Sequence, residues 1–191
     1  ISVSAFLLNR SSDLAMVWTN GNNELILANR NGRAVRFHED EIRPMGRVST
    51  GVIGMRLDGG DDEVVGMICV NDLENETVMV ISENGYGKRS MIVEKEGDEL
   101  KDVYRKTSRG AKGVKTLNVT EKTGRLVSIK IVTDENDLMI INKSGILIRL
   151  NVSEVRITGR ATQGVRLINL TKKNDTIASV CKVMTEPEED S

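Results

Sequence analysis

The sequence feature that most constrains the fold is a threefold internal repeat. Two glycines mark each copy: a first glycine at Gly32, Gly85 and Gly145, and a second at Gly51, Gly113 and Gly164. The two glycines lie 19, 28 and 19 residues apart, so the middle copy carries 9 extra residues, which fits the charged stretch at 94–102. Self-similarity at roughly 50 residues predicts blades or solenoid units, not one wound sheet.

Short apolar segments flank each first glycine, as LILA and AVRF flank the turn sequence NRNG. This pattern predicts a β-hairpin whose glycine can adopt positive φ. Further short runs follow, such as VIGMRL (52–57) and VVGMICV (64–70), which we expect to form a second strand pair. About four short strands per copy is the number in one propeller blade, so we predict an all-β, propeller-like fold of four-stranded antiparallel blades. The insertion at 94–102 is the best place for a helical turn.

The repeat divides the chain into units. We assign full units to 20–70, 71–133 and 134–183, which are called the first, second and third unit below. Residues 1–19 resemble the back half of such a unit, so about three and a half repeats span 1–183. Residues 184–191 are acidic, and we expect them to form a disordered tail.

Composition narrows the possible functions. The chain has one histidine and no nucleophile or phosphate-loop motif, so we predict no catalytic residue, no metal site and no cofactor. No apolar run approaches the roughly 20 residues that cross a bilayer, and no leader-like segment is recognisable, so we expect a cytoplasmic protein without a membrane partner. Aromatic residues make up 3% of the chain, which disfavours base stacking on single strands.

The two cysteines occupy the same repeat position, Cys69 in the first unit and Cys181 in the third. Equivalent positions in separate units should lie farther apart than the roughly 7 Å between Cα atoms that a disulfide tolerates. We therefore expect two unpaired thiols that act as small apolar side chains in the core.

Basic residues keep register with the glycines, although the formal net charge is only −1. Duplex DNA is a polymer of regularly spaced negative charge, which cations repeated once per blade could hold. At any single position, the simpler interpretation is the solvent face of an amphipathic strand. The predicted DNA-binding set comprises the registered residues and their basic neighbours: Arg36, Arg43, Arg47, Lys88, Arg89, Arg105, Arg109, Lys112, Lys115, Arg149, Arg156, Arg160 and Arg166.

Consecutive motifs then point to a known family. GRAVRF, RPMGR with TGV, ENGYGKRS, SRGAKGVKTLNVTEKTGRLV and TGRATQGVRLINL resemble the family of C-terminal domains from the A subunit of DNA gyrase, over essentially the whole chain. The resemblance implies a β-pinwheel, a propeller-like disk whose blades exchange strands and whose basic rim wraps duplex DNA. It also implies a non-catalytic module of an ATP-dependent type IIA topoisomerase that introduces negative supercoils. Its partners would then be the remainder of the A subunit of gyrase, together with the B subunit of gyrase.

One family motif is absent. The family's box of a glutamine, two arginines and a glycine-rich end does not occur, and SRGAKG is similar to a degenerate copy in which Thr107 and Ser108 replace the Gln-Arg start. Two alternatives stay open: the corresponding domain from the C subunit of topoisomerase IV, and a propeller-like scaffold whose arginines meet acidic protein partners.

Overall fold

The computed structural model describes residues 2–7, 14–170 and 175–184, with side chains from residue 16 onward. Regular structure in these ranges is almost entirely strand, with two 3-10 turns at Glu39–Glu41 and Val152–Glu154. The described residues contain no helix that is long and apolar enough to cross a membrane. The predicted acidic tail lies outside the described residues from 185 onward.

The strands of the described residues are, in chain order, β1 (Ser2–Leu7), β2 (Leu14–Thr19), β3 (Glu24–Asn29), β4 (Arg33–His38), β5 (Val64–Val70), β6 (Thr77–Ser82), β7 (Tyr86–Met91), β8 (Val93–Glu96), β9 (Glu99–Asp102), β10 (Val114–Lys115), β11 (Leu126–Val132), β12 (Asn136–Asn142), β13 (Leu147–Asn151), β14 (Val165–Arg166) and β15 (Ile177–Met184). Every pair of neighbouring strands within a sheet is antiparallel.

Two four-stranded sheets are each completed by a strand from the next unit. The first sheet has the order β10-β4-β3-β5, so the second unit supplies its outer strand, and the second has the order β11-β6-β7-β14, so the third unit supplies its outer strand. The prediction of an all-β fold of four-stranded antiparallel sheets is confirmed, and so is the strand exchange that the family resemblance implied. The unit boundaries themselves stay a prediction.

The third sheet has three strands, in the order β13-β12-β15. Its hairpin strand β13 corresponds to β4 and β7, but no described strand pairs with the outer edge of β13. At the other end of the chain, β1 and β2 form a separate two-stranded sheet, and β2 lies against β5.

The apolar core lies between successive sheets. One cluster joins the first and second units and includes Ile26, Val78, Val80 and Leu117, and another joins the second and third units and includes Met79. Strand β6 is buried along its whole length because its alternating side chains serve both clusters. A strand buried on both faces reads as a continuous apolar run, which is how TVMVIS reads.

Three local expectations were wrong. Residues 52–57 form no strand, because the hairpin that would pair with them by analogy with β4 and β7 is not among the described residues. The insertion at 94–102 contains no helical turn: β8 and β9 pair as a β-hairpin. Cys69 is buried as expected, but Cys181 is exposed. Cys69 pairs with Leu25, whereas Cys181 pairs with Met139, one position beyond the equivalent Leu138, so the two cysteines do not share a repeat position and Cys181 lies on the sheet face that no further described unit covers. Both thiols are free.

Candidate nucleic-acid interface

The hairpin arginine of the first unit is a contact between units. Arg36 is 1% exposed, and its Nη1 donates to the carbonyl oxygen of Tyr104 at 2.8 Å and to Asp102 Oδ1 at 2.7 Å. The backbone N–H of Thr107 in turn donates to the carbonyl oxygen of Arg36 at 2.7 Å. The guanidinium also lies 3.5 Å from Glu24 Oε2. These bonds hold the second unit's loop against β4 on both sides of Arg105.

The second unit repeats this arrangement with the third. Arg89 is 6% exposed, its Nε donates to the carbonyl oxygen of Val155, and its guanidinium pairs with Asp134. The N–H of Thr158 donates to the carbonyl oxygen of Arg89 at 2.9 Å. Val155 and Thr158 stand in the repeat where Tyr104 and Thr107 stand, so Arg156 is held as Arg105 is.

Lys88 is also internal. Its side chain has no solvent exposure, and its Nζ donates to the carbonyl oxygen of Gly159 at 2.7 Å and to that of Arg160. Burial, together with the nearby positive charge of Arg160, lowers the pKa of the Lys88 ammonium from 10.5 to about 7. Lys88 therefore anchors the loop of the third unit at Gly159 and Arg160.

These positions correct the predicted DNA-binding set. Arg36, Lys88 and Arg89 are buried and bonded to backbone carbonyls, so their charged groups are out of reach of a phosphate. Part of the basic register in the sequence arises because every interface between units needs the same hydrogen-bond donors. A buried carbonyl needs a partner, and a long cationic side chain can supply one across two sheets.

Arg109 and Arg160 are half-buried and play a second linking role. Arg109 donates from Nε to the carbonyl oxygen of Glu41 at 3.2 Å and from Nη1 to that of Ile53 at 2.7 Å. Arg160 makes the equivalent bonds, from Nε to the carbonyl oxygen of Val103 at 2.9 Å and from Nη1 to that of Lys115. Each guanidinium donates two hydrogen bonds to carbonyl oxygens of the preceding unit, which leaves only part of it for a ligand.

Two further predicted residues are exposed but paired with carboxylates. Lys112 Nζ lies 2.6 Å from Asp58 Oδ1. Arg149 Nε lies 2.6 Å from Asp137 Oδ2. A phosphate would have to compete with these carboxylates, so we leave Lys112 and Arg149 out of the candidate surface.

The remaining predicted residues are exposed and make no ion pair within the described part of the chain: Arg43, Arg47, Arg105, Lys115, Arg156 and Arg166. We name these six side chains the cationic track. Arg105 and Arg156 lie on equivalent loops, and Lys115 and Arg166 lie on the equivalent strands β10 and β14. The structure therefore presents the same pair of cations on two successive sheets.

The glycines of the SRGAKG segment have a structural explanation. Gly113 has φ 76°, and a Cβ on it would lie 2.3 Å from the carbonyl oxygen of Ala34. Gly164 repeats this, with φ 78° and a distance of 2.4 Å from the carbonyl oxygen of Gly87. Close packing between units therefore requires glycine at both positions.

Sequence reasoning missed a neighbour of Arg166. Nη2 of Arg166 donates to the hydroxyl of Tyr86 at 2.9 Å, and its guanidinium lies 5.4 Å from the centre of the Tyr86 ring. Lys122 Nζ lies 5.5 Å from the same ring. The sequence did carry a signal for Lys122, which lies nine positions after Gly113, because Lys173 lies nine positions after Gly164; the first copy has Gly60 there. Lys122 adds a cation beside the end of the cationic track.

Comparison with known proteins identifies the relatives of this chain. A family model described as DNA gyrase C-terminal domain, beta-propeller, matches residues 23–71, 76–90, 96–133 and 136–181. The chain is 39% identical over 178 residues to the A subunit of DNA gyrase from Staphylococcus aureus (strain MRSA252), a match that covers 93% of this chain and 19% of that protein. The chain thus spans about a fifth of the length of this curated relative.

Solved structures share the fold. The crystal structure of the C-terminal domain of DNA topoisomerase IV matches with a TM-score of 0.77 at 23% identity, covering 91% of this chain and 50% of that one. The structure of the DNA gyrase A C-terminal domain matches with a TM-score of 0.72 at 25% identity, covering 88% of this chain and 53% of that one.

Proposed function

Since the chain belongs to the DNA gyrase C-terminal domain family, we propose that it is a non-catalytic module that binds and bends duplex DNA along the cationic track. The wrapped segment would be presented to an ATP-dependent type IIA topoisomerase that introduces negative supercoils. The remainder of the A subunit of gyrase, together with the B subunit of gyrase, would supply its protein partners in the cytoplasm.

The observation that carries this proposal is the equivalence of Arg105 and Arg156. Each side chain is exposed, and each stands on a loop that a buried hairpin arginine holds on both sides. The two cations are therefore placed by the same backbone contacts on neighbouring sheets. A polymer with regularly spaced phosphates can contact both without either loop rearranging.

Bending explains why several modest contacts are needed. Bending 20–30 base pairs by 40–90° costs roughly 1–6 kcal/mol, which contacts to phosphate must offset. Lys115 and Arg166 lie on the outer strands β10 and β14 of the two sheets and would add one further contact per sheet. Because phosphate contacts carry no direct sequence information, we expect sequence-tolerant binding.

Binding of a labelled DNA duplex, measured by fluorescence anisotropy, tests the proposal. The double variant Arg105→Gln and Arg156→Gln should weaken binding much more than the matched control Lys95→Gln and Lys101→Gln. Both variants remove two positive charges, but the control residues lie on the β8–β9 hairpin and pair with Glu74 and Glu96. Equal losses in the two variants would contradict a localised interface.

The same measurement decides between the proposed function and a scaffold that binds acidic proteins. If the unmodified chain failed to bind duplex DNA even at low salt, the DNA-binding proposal would be wrong. The scaffold alternative would then explain the exposed cations. The choice between gyrase and topoisomerase IV is tested separately, by adding this chain to each enzyme lacking its own C-terminal domain and measuring supercoiling.

A further inference from the structure

A cavity of about 210 Å³ lies beside the interface between the second and third units. The second unit lines it with Tyr86, at the start of β7, and with Lys122. The third unit lines it with Arg166 of β14, with residues 168–170 and with Asp175. Because both units supply its walls, the cavity exists only where the two units meet.

Two cations of this cavity stand against one tyrosine ring. Lys122 Nζ lies 5.5 Å from the centre of the Tyr86 ring, and the Arg166 guanidinium lies 5.4 Å from it. Both cationic residues are exposed, and neither forms an ion pair with any residue that the structure describes. A cation within about 6 Å of a ring centre is attracted by the electrons of the ring. The ring therefore holds together two positive charges that would otherwise repel each other.

The hydroxyl of Tyr86 also fixes the orientation of Arg166. Nε and Nη2 of Arg166 donate to this hydroxyl at 3.2 and 2.9 Å, and Nη1 donates to Asn169 Oδ1 at a longer 3.4 Å. A guanidinium has five N–H groups, so these three bonds leave one N–H on each terminal nitrogen without a partner among the described residues. With one N–H on each terminal nitrogen, an arginine can bind two oxygens of one phosphate.

The lining of the cavity favours a compact anion over a nucleobase. Tyr86 is 6% exposed, so little of its ring is open to a stacked base. The acidic side chain of the lining, Asp175, has both oxygens bonded: Oδ2 accepts from Nδ2 of Asn142 at 2.7 Å, and Oδ1 accepts from the N–H of Thr176 at 2.9 Å. Two cations and one carboxylate leave the lining with a net positive charge. A phosphate group, with its negative charge and several acceptor oxygens, fits this arrangement.

The first sheet is built differently at the equivalent place. Arg33 takes the position of Tyr86, since it lies opposite Lys115 as Tyr86 lies opposite Arg166. Arg33 donates from Nη1 to a backbone carbonyl oxygen at 3.0 Å, and its Nε lies 3.8 Å from Asp58 Oδ2. A carboxylate here would repel a phosphate where the second sheet attracts one. The cavity is therefore not a repeated feature, because it depends on a tyrosine where the first sheet has an arginine.

We propose that the cavity between Lys122 and Arg166 binds one phosphate group, with Tyr86 as the residue that positions Arg166. Lys122 supplies an ammonium group, and Arg166 supplies the two N–H groups that its bonds leave over. The source of the phosphate rests on the proposed function: it is a backbone phosphate of the bound duplex, although a free phosphate ion offers the same oxygens. A cavity that accepts one phosphate fixes the position of the duplex on the second sheet.

Anisotropy titrations of a DNA duplex at several salt concentrations test the site with DNA as the source. Lys122→Gln should weaken binding and reduce the magnitude of the slope of log affinity against log salt by about 0.9, because one phosphate contact is lost. Lys101→Gln is the matched control, since it removes the same charge from the β8–β9 hairpin. We expect this control to keep the slope of the unmodified chain.

A double-mutant cycle tests the positioning role of Tyr86. Tyr86→Phe keeps the ring and removes the hydroxyl that accepts from Arg166. We expect Tyr86→Phe alone to weaken duplex binding severalfold, but to have no further effect in a chain that already carries Arg166→Gln. A loss of the same size in both backgrounds would overturn the positioning role, because the hydroxyl would then act independently of Arg166.

Nuclear magnetic resonance with inorganic phosphate alone tests the cavity without DNA. Phosphate should shift the amide signals of Arg166 and Asn169, and Lys122→Gln should abolish these shifts while Lys101→Gln keeps them. Phosphate-dependent shifts together with an unchanged salt slope in Lys122→Gln would support the site, with a free phosphate ion as its source. The absence of both effects would overturn the site. The proposed function fails on a different result, namely that the unmodified chain binds no duplex.

Discussion

Arg36 in the first unit donates from Nη1 to the backbone carbonyl oxygen of Tyr104 in the second, at 2.8 Å. The same relationship joins Arg89 of the second unit to Val155 of the third. The sequence predicted Arg36 and Arg89 as DNA contacts, but each is a hydrogen-bonded contact between two units, which we call a joint. The exposed Arg105 and Arg156, one residue beyond each joint, are the cations that the joints position.

Removing Arg36 should destabilise the fold strongly. Arg36→Met would leave the buried carbonyl oxygen of Tyr104 without its donor, and Glu24, which is 7% exposed, would keep only Lys106 as an ion-pair partner among the described residues. Leaving a buried polar group unsatisfied costs about 1–3 kcal/mol. Urea unfolding measures the loss. The control is Arg125→Met, whose partner Asp61 has a side chain that is 70% exposed, so that this ion pair should contribute little to the free energy of unfolding. Equal losses in the free energy of unfolding would show that Arg36 does not stabilise the contact between the first and second units.

The interface glycines should differ in their tolerance of a methyl group. Gly113→Ala places a Cβ 2.3 Å from the Ala34 carbonyl oxygen, so the second unit would have to shift from the first. Gly51→Ala meets open space and carries only the cost of positive φ, about 1–2 kcal/mol. Thermal unfolding of dilute protein should therefore show a clearly larger loss for Gly113→Ala. The opposite order would contradict the packing at the first interface.

Stability should rise with pH above neutrality because of Lys88. The pKa of its ammonium is lowered to about 7 in the folded chain, whereas an unfolded lysine titrates near 10.4. Between these values the unfolded state binds more protons than the folded state, so the free energy of unfolding increases with pH, by up to about 1.4 kcal/mol per unit.

Lys88→Met should flatten this pH dependence, which urea unfolding at a series of pH values between neutrality and pH 10 would reveal. The exposed Lys101→Met is the control and should keep the slope of the unmodified chain. An unchanged slope in Lys88→Met would exclude Lys88 as its source.

The salt dependence of DNA binding should report the number of phosphate contacts. Each neutralised phosphate contributes a slope of about −0.9 in log affinity against log salt. Arg105→Gln and Arg156→Gln together should therefore reduce the magnitude of the slope by about 1.8, if each arginine neutralises one phosphate. Anisotropy titrations at several salt concentrations measure it. A lower affinity with an unchanged slope would mean that these residues act without contacting phosphate.

The two thiols should react very differently. Burial, chiefly, raises the pKa of Cys69 to about 11, so few molecules carry its reactive thiolate at neutral pH, whereas Cys181 is exposed. A thiol reagent should modify Cys181 quickly in the native chain and Cys69 only after unfolding. Cys181→Ser should remove the fast phase. A fast phase that persists in this variant would show that the first unit opens readily.

The repeat was recognisable from the sequence alone, and it predicted most of the fold. Glycines that need positive φ occur at two fixed positions in every copy, and all six have φ between 76° and 83°. Apolar runs around them predicted the hairpins, since pairing across a tight turn is local. Only the family resemblance predicted the strand exchange. The strand Val114–Lys115 has two residues, too few for its pattern to predict pairing with a strand that lies about 80 residues earlier in the chain.

What the sequence by itself determined is which positions are repeated: turn glycines, apolar strands and cations in constant register. Only the tertiary structure decided the role of each repeated cation, because arginines at the same repeat position can lie between two sheets or in solvent. Arg36 and Arg89 donate to backbone carbonyls of the next unit, while Arg149 in the same register pairs with Asp137 of its own sheet. The physical reason is that hydrogen-bond partners from another unit exist only once the sheets have assembled.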